Sequence, residues 1–463
     1  MKSIGKTLLA VFLSFLAMAP LSAFEAGAQL LVSGGAAGNG GGRDDKLEWE
    51  DDADTNLFST FLEPGWWSAH HLFTGKLVSW FDLPFVEDGS FGIAGQASLK
   101  YGQEGSPDEV PNISFIADID LLRYYYNNID ENGAFVLSAG RFNVTDKTST
   151  IINQKLDGLY LGFNGSRVQF GAYVGYTGLL NSKTTMIINS SGRNYWTALA
   201  TDSLYNIYQD DVKSITAKNF SDFMKSGDLS AFWNDVGEQV FTWADPYILS
   251  SANVAFPYLF ANQTPYIEAT VAVSTEGPSK IVDEFDRFYL TGGMYGPFIF
   301  PDFVYNISTT FSTCGDNGVT RSAFDGLSNL TKLNFTYFTN FHSLTFSGGL
   351  TYASGDNGIY DPFYGFTSTP ISYMRYSPEH SAAVKYGLSA SFKPVKEFLV
   401  TLGADQVFDY QENVIDYMGW QWYTEIKLQC TSDFQFQVKA YRFIAEDTNF
   451  DNTGATVTAV FSF

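Results

Sequence analysis

Charged side chains recur two apart in this sequence, each pair split by an apolar residue. Glu425 and Lys427 flank Ile426, and Asp118 and Asp120 flank Ile119. On an extended strand that spacing puts the charges on one face and the apolar residue on the other. Carboxylates and ammonium groups set along a wall hold water and orient dipolar solutes; they do not by themselves break bonds. Catalysis would need a histidine beside an Asp or Ser, and there are only four: His70, His71, His342 and His380. His70 and His71 are neighbours, so on a strand they point to opposite faces, and His342 falls in a short turn. No nucleophile elbow or metal-binding pair is present. GDNG occurs at 315–318 and 355–358, but without the further acids and closing Glu of a calcium loop it is turn chemistry. The sequence reads as a non-enzyme with no cofactor and no metal.

The elements that carry these charges alternate with a period of two. In SRVQFGAYVGYTG, Val168, Phe170, Ala172, Val174 and Tyr176 share one face, while Arg167, Gln169, Gly171, Tyr173 and Gly175 share the other. FQFQVKAY opposes Phe434, Phe436, Val438 and Ala440 to Gln435, Gln437, Lys439 and Tyr441. Strict alternation of this kind is a half-buried strand, not a helix. Several combs reach the roughly ten residues with which a tilted strand crosses a bilayer. Eighteen strands are predicted, near 24–34, 70–81, 91–102, 112–126, 134–144, 156–163, 166–177, 247–258, 264–275, 284–296, 302–313, 330–338, 343–353, 383–393, 397–409, 418–429, 434–445 and 454–463. Connections after even-numbered strands are short and those after odd-numbered strands mostly long, the arrangement of an outer-membrane barrel with short periplasmic turns. The fold class is all-β, a single transmembrane antiparallel β-barrel of about eighteen strands, with sixteen as the alternative count.

Composition agrees. Aromatics are 17% of the 463 residues, there are 42 glycines, and no stretch after the first 23 residues is long and apolar enough for a transmembrane helix. Residues 1–23 read as a signal peptide, with Lys2 and Lys6, an apolar run from Leu8 to Met18 and Ser22-Ala23 at the cut. The mature barrel is then 24–463. Fifty Asp+Glu against 27 Lys+Arg exclude nucleic acid as a partner. Cys314 and Cys430, the only cysteines, are placed at opposite rims and expected to remain thiols.

The chain as a whole resembles bacterial outer-membrane β-barrels of the porin type. The most specific match is the final segment ATVTAVFSF, with Phe463, an aromatic two positions before it at Phe461, and Ala459 and Val457 upstream. The resemblance implies that these residues are the assembly signal read by the barrel-assembly machinery. AGRFNVTD and KLDGLYLGF, followed by GYTGLL, place Gly140-Arg141 and Asp157-Gly158 at a spacing similar to eighteen-stranded alginate-export-like channels and to spirochaete outer-membrane barrels.

With odd strands rising and even strands descending, the residues expected to line the pore are Lys100, Asp118, Asp120, Arg141, Arg167, Glu268, Arg287, Lys385, Asp405, Glu425, Lys427 and Lys439. Both signs are present in similar number, so the net charge of -23 sits mostly in loops such as 35–69. The connection 178–246 carries Phe220, Phe223, Met224, Phe232, Trp233 and Val236 at roughly helical spacing, with Ser221 and Ser230 as caps. It is expected to hold a short helix and to narrow the mouth, the rival reading being a surface cap. The favoured function is passive diffusion of small hydrophilic solutes, neutral or zwitterionic, across a bacterial outer membrane after export through the periplasm. The alternatives are a surface adhesin or ligand-binding receptor displayed on a barrel, and a transporter of hydrophobic ligands.

Overall fold

The computed structural model describes residues 25–39, 71–105, 112–131, 133–181, 215–216, 243–244, 246–275, 285–298, 300–316, 327–339, 341, 343–355, 363, 365–366, 382–411, 414–446 and 452–463. Its strands are β1 (Glu25–Asn39), β2 (His71–Pro84), β3 (Phe91–Gly105), β4 (Asn112–Asp130), β5 (Gly133–Thr145), β6 (Asn153–Gly165), β7 (Gln169–Tyr176), β8 (Ile215–Thr216), β9 (Tyr247–Ala255), β10 (Thr264–Ser274), β11 (Phe285–Pro297), β12 (Phe303–Asp316), β13 (Ser328–Phe338), β14 (Thr345–Ala353), β15 (Ala383–Val395), β16 (Phe398–Gln411), β17 (Val414–Gln429), β18 (Phe434–Ala445) and β19 (Asn452–Ser462). Every long strand runs antiparallel to the next, and β19 pairs with β1 from Gln29↔Ser462 to Asn39↔Asn452. The result is a closed barrel of eighteen strands. The two-residue β8 is an addition that pairs only with Asn112 and Ile113 at one end of β4.

Closure is required because hydrocarbon offers no partner to a strand edge. At the seam the Phe463 amide donates to the Ala28 carbonyl at 2.8 Å and the Ser33 and Thr458 hydroxyls meet at 2.8 Å. All eighteen segments read from the alternation are strands here. The helix expected within 178–246 and the acidic stretch 44–63 lie outside the described residues.

Short turns gather on one rim, for example 166–168, 396–397 and 430–433. Cys430 is an exposed free thiol in the last of these. Cys314 sits opposite Arg287 at the other end of β12.

The two faces of the wall invert the rule of a globular protein. Leu77, Leu99, Leu388 and Leu402 are 46, 47, 64 and 57% exposed, whereas Glu268, Asp405 and Gln421 are 2, 3 and 0% exposed. Apolar exposure on this scale is stable only against lipid.

Candidate functional site: a hairpin in the lumen

Two adjacent strands leave the wall partway along their length. The β4–β5 ladder runs from Asp130↔Gly133 to Leu122↔Arg141 and stops, and the β6–β7 ladder stops at Asp157↔Tyr176. The β5–β6 ladder continues to Thr145↔Asn153. The departure begins at three glycines in cross-strand register, Gly140↔Gly158 and Gly158↔Gly175. Gly140 has φ of +124°, and a Cβ there would come within 2.3 Å of the Leu122 carbonyl oxygen. A Cβ on Gly158 would lie 2.0 Å from the Val174 oxygen. Only glycine permits backbones this close.

The sequence inverts its polarity at the same point. Before the glycines, Leu137, Ala139, Leu159 and Leu161 face lipid by their register. Beyond them the same parity holds Arg141, Asn143, Lys155 and Asp157, while Phe142, Val144 and Leu156 occupy the opposite face. In the wall those four polar residues would enter hydrocarbon at a cost of several kcal/mol, about 2–4 for a basic residue near the midplane. Folding the hairpin inward removes that cost.

Inside, its apolar face completes a core across the lumen. Phe142, Val144, Ile151, Ile152 and Leu156 pack with Tyr173, Tyr247, Leu249, Tyr289 and Leu330 of the wall and with Phe363 and Phe366 from the β14–β15 connection. The tip is a closed turn. One Asp146 oxygen accepts from the amides of Thr150, Ile151 and Ile152 at 3.0, 2.8 and 2.8 Å, and the other from Thr148 at 2.8 Å. Three bonds pin it to other parts of the chain. The Lys147 amide donates to Glu268 at 2.7 Å, Lys332 Nζ donates to the Thr150 hydroxyl at 2.5 Å, and the Phe366 amide donates to the Ile151 carbonyl at 2.9 Å. Glu268 also accepts from Ser251 at 3.0 Å, and Arg287 donates to the Gly365 carbonyl at 2.6 Å. The two residues act here as anchors for segments that cross the lumen.

The polar face of the hairpin meets the inner face of β4. Arg141 binds Asp157 in a fork, Nε to Oδ1 at 2.8 Å and Nη2 to Oδ2 at 2.7 Å. It also donates to the carbonyls of Ile119 at 3.2 Å and Leu179 at 2.8 Å. The guanidinium therefore stands in the slot that β5 and β6 leave between β4 and the segment after β7. Asn181 closes the slot further by donating to the Ala117 carbonyl at 3.3 Å. Lys155 pairs with Asp118 and, at 2.6 Å, with Asp120. A bulge opposite Gln96/Ala97 lets both Asp120 and Leu121 turn inward.

Elsewhere the described inner residues are less covered. The inner residues Leu249, Ser251, Tyr266, Glu268, Thr270 and Tyr289 are buried beneath the hairpin. On β15, β18 and β19 the inner residues Lys385, Gln437, Lys439, Thr456 and Thr458 keep intermediate exposure. Glu425 forms a cluster there with Lys427 at 3.0 Å, Lys439 at 3.8 Å and Gln437. Asp405 accepts from Gln421 at 2.8 Å and pairs with Lys385 at 3.6 Å. Lys100 and Lys76 are directly opposite on the inner face of β3 and β2. Arg167 does not join this lining. It lies in the exposed turn 166–168, because β7 begins only at Gln169.

A closed wall of eighteen antiparallel strands, apolar on its outer face and with a segment folded into its bore, defines the fold as a transmembrane β-barrel. The sequence matches no protein-family model and no curated protein. In fold it is similar to the crystal structure of the outer membrane protein opdK from Pseudomonas aeruginosa, with a TM-score of 0.54 and 8% identity over 95% of this chain and 99% of that one. It is also similar to Pseudomonas aeruginosa OccK11 (OpdR), with TM-score 0.53 and 10% identity over 95% and 96% of the two chains. Acinetobacter baumannii OccAB4 gives 0.51 and 10% over 96% and 99%.

Proposed function

We propose that the chain is a passive diffusion channel for small hydrophilic solutes, with the path running beside the hairpin rather than down the barrel axis. The observation that supports this reading is the one-sided lumen, packed with apolar side chains against β7 to β14 and lined with half-exposed polar groups elsewhere. Lys100, Lys155, Lys385, Lys427 and Lys439 stand near Asp118, Asp120, Asp405 and Glu425. Both signs along one path orient dipoles without excluding either ion, which favours neutral or zwitterionic solutes. Planar-bilayer recording of the refolded protein in asymmetric potassium chloride tests this. A stable conductance with a reversal potential near zero is expected; a membrane that stays silent would remove the channel reading.

We also propose that Val457, Ala459, Phe461 and Phe463 form the assembly signal. Phe461 stacks on Phe434 with centroids 4.7 Å apart, and Phe463 is 77% exposed. Replacing Phe463 by Ala is expected to lower the heat-modifiable barrel recovered from outer membranes while leaving refolding in detergent intact. Equal recovery of the two proteins would refute the role.

A further inference from the structure

Among the described residues, away from strand ends, the membrane-facing surface of the wall carries one charged side chain, Arg442. Its orientation is fixed by its neighbours on β18, since Tyr441 and Phe443 are buried inward at 4 and 1% exposure. Arg442 is directly opposite Trp422 on β17 and Thr453 on β19. Trp420, the next outward residue of β17, lies opposite Ile444 and Gln406. Gln406 bonds the hydroxyl of Tyr386, which stacks on Phe408. No carboxylate of the described residues lies within ion-pair distance of Arg442.

An unpaired guanidinium in a lipid-facing wall is costly unless something in the membrane satisfies it. Its position says what can. Ala445 ends β18 at the long-loop rim, so Arg442 sits three residues inside the outer boundary. Trp422 marks the same level and Trp420 lies one step nearer the rim, where ring and head group meet. In a chain of net charge -23 the one membrane-facing charge among the described residues, away from strand ends, is basic. We propose that Arg442, level with Trp422 and one step below Trp420, is a docking site for the phosphate of an outer-leaflet lipid. The guanidinium takes two phosphate oxygens, the Thr453 hydroxyl lies on its flank, and the indole rings flank the head group.

Native mass spectrometry of the refolded full chain, released from micelles containing either dioleoylphosphatidic acid or dioleoylphosphatidylcholine, tests the site. The wild type is expected to retain phosphatidic acid about tenfold more than phosphatidylcholine, a charge-assisted bidentate contact's worth of preference. Arg442→Gln should bring the two lipids level, and Arg442→Lys should fall between, while heat modifiability and conductance stay at wild-type values. Equal retention of both lipids by the wild type, or an undiminished preference in Arg442→Gln, would overturn the proposal; the latter would leave Arg442 held by the indole rings alone.

Discussion

Deleting residues 143–154 and joining the shortened arms by a two-glycine turn is expected to raise single-channel conductance severalfold. An eighteen-stranded barrel is too wide for its wall side chains to fill. The hairpin is therefore the principal described obstruction, together with Phe363 and Phe366, which pack against it. The deletion leaves Arg141 and Asp157 in place, so the slot beside β4 stays closed. It does uncover Tyr247, Leu249 and Tyr289, at about 25 cal/mol for each Å² of apolar surface returned to water. Some loss of thermal stability should accompany the gain in current. A gentler variant, Glu268→Ala, keeps the hairpin but removes the acceptor of the Lys147 amide. It is expected to give a noisier current at nearly unchanged mean conductance. If the deletion leaves conductance at the wild-type value, the hairpin does not narrow the path.

The second large effect is a single methyl group. Gly158→Ala places a Cβ 2.0 Å from the Val174 oxygen and 2.5 Å from the Gly175 Cα, both backbone atoms that cannot step aside. The strands must separate at the point where the hairpin turns inward, at a cost of about 3 kcal/mol or more. Gly292→Ala is the control, since a Cβ there meets nothing within 4 Å. Heat-modifiability after refolding should show the first protein largely unassembled and the second normal. Equal assembly of both would mean that the three-glycine register is not what allows the bend.

Both variants address a feature that was only half legible in the sequence. The wall was readable because lipid on one side and water on the other impose a period of two on every crossing strand, and alternation such as that of β17 and β18 has no competing interpretation at that length. The hairpin keeps the same period, so periodicity alone places it in the wall. What changes is the phase of polarity: Leu137 and Ala139 give way to Arg141 and Asn143 across Gly140. That inversion is a usable signal, and it falls at Gly140-Arg141 and Asp157-Gly158, the pairs that carry the resemblance. Other contributions had no local signal. Phe363 and Phe366 lie in an irregular stretch, and their burial depends on meeting Tyr289 and Tyr247 across the bore. Glu268 and Arg287 were placed on the inner face by alternation, but their partners, a backbone amide and a backbone carbonyl, come from segments 121 and 78 residues away. Arg167 reads as part of a strand because the alternation continues back through the turn, two residues beyond the start of β7.

The unequal filling of the bore also divides the wall by mutational tolerance. Beneath the hairpin, inner residues such as Leu249, Ala272 and Leu330 have no exposed surface to speak of, at 0, 0 and 1%, so any change of volume there is felt as strain or as a cavity. Across the bore, Gln437, Lys439, Thr456 and Thr458 border water and can change size or charge with little effect on packing. Under the channel function proposed above, the charges on β15 to β19 can therefore be exchanged while the arc that holds the hairpin stays fixed, and selectivity can drift without the fold having to be rebuilt.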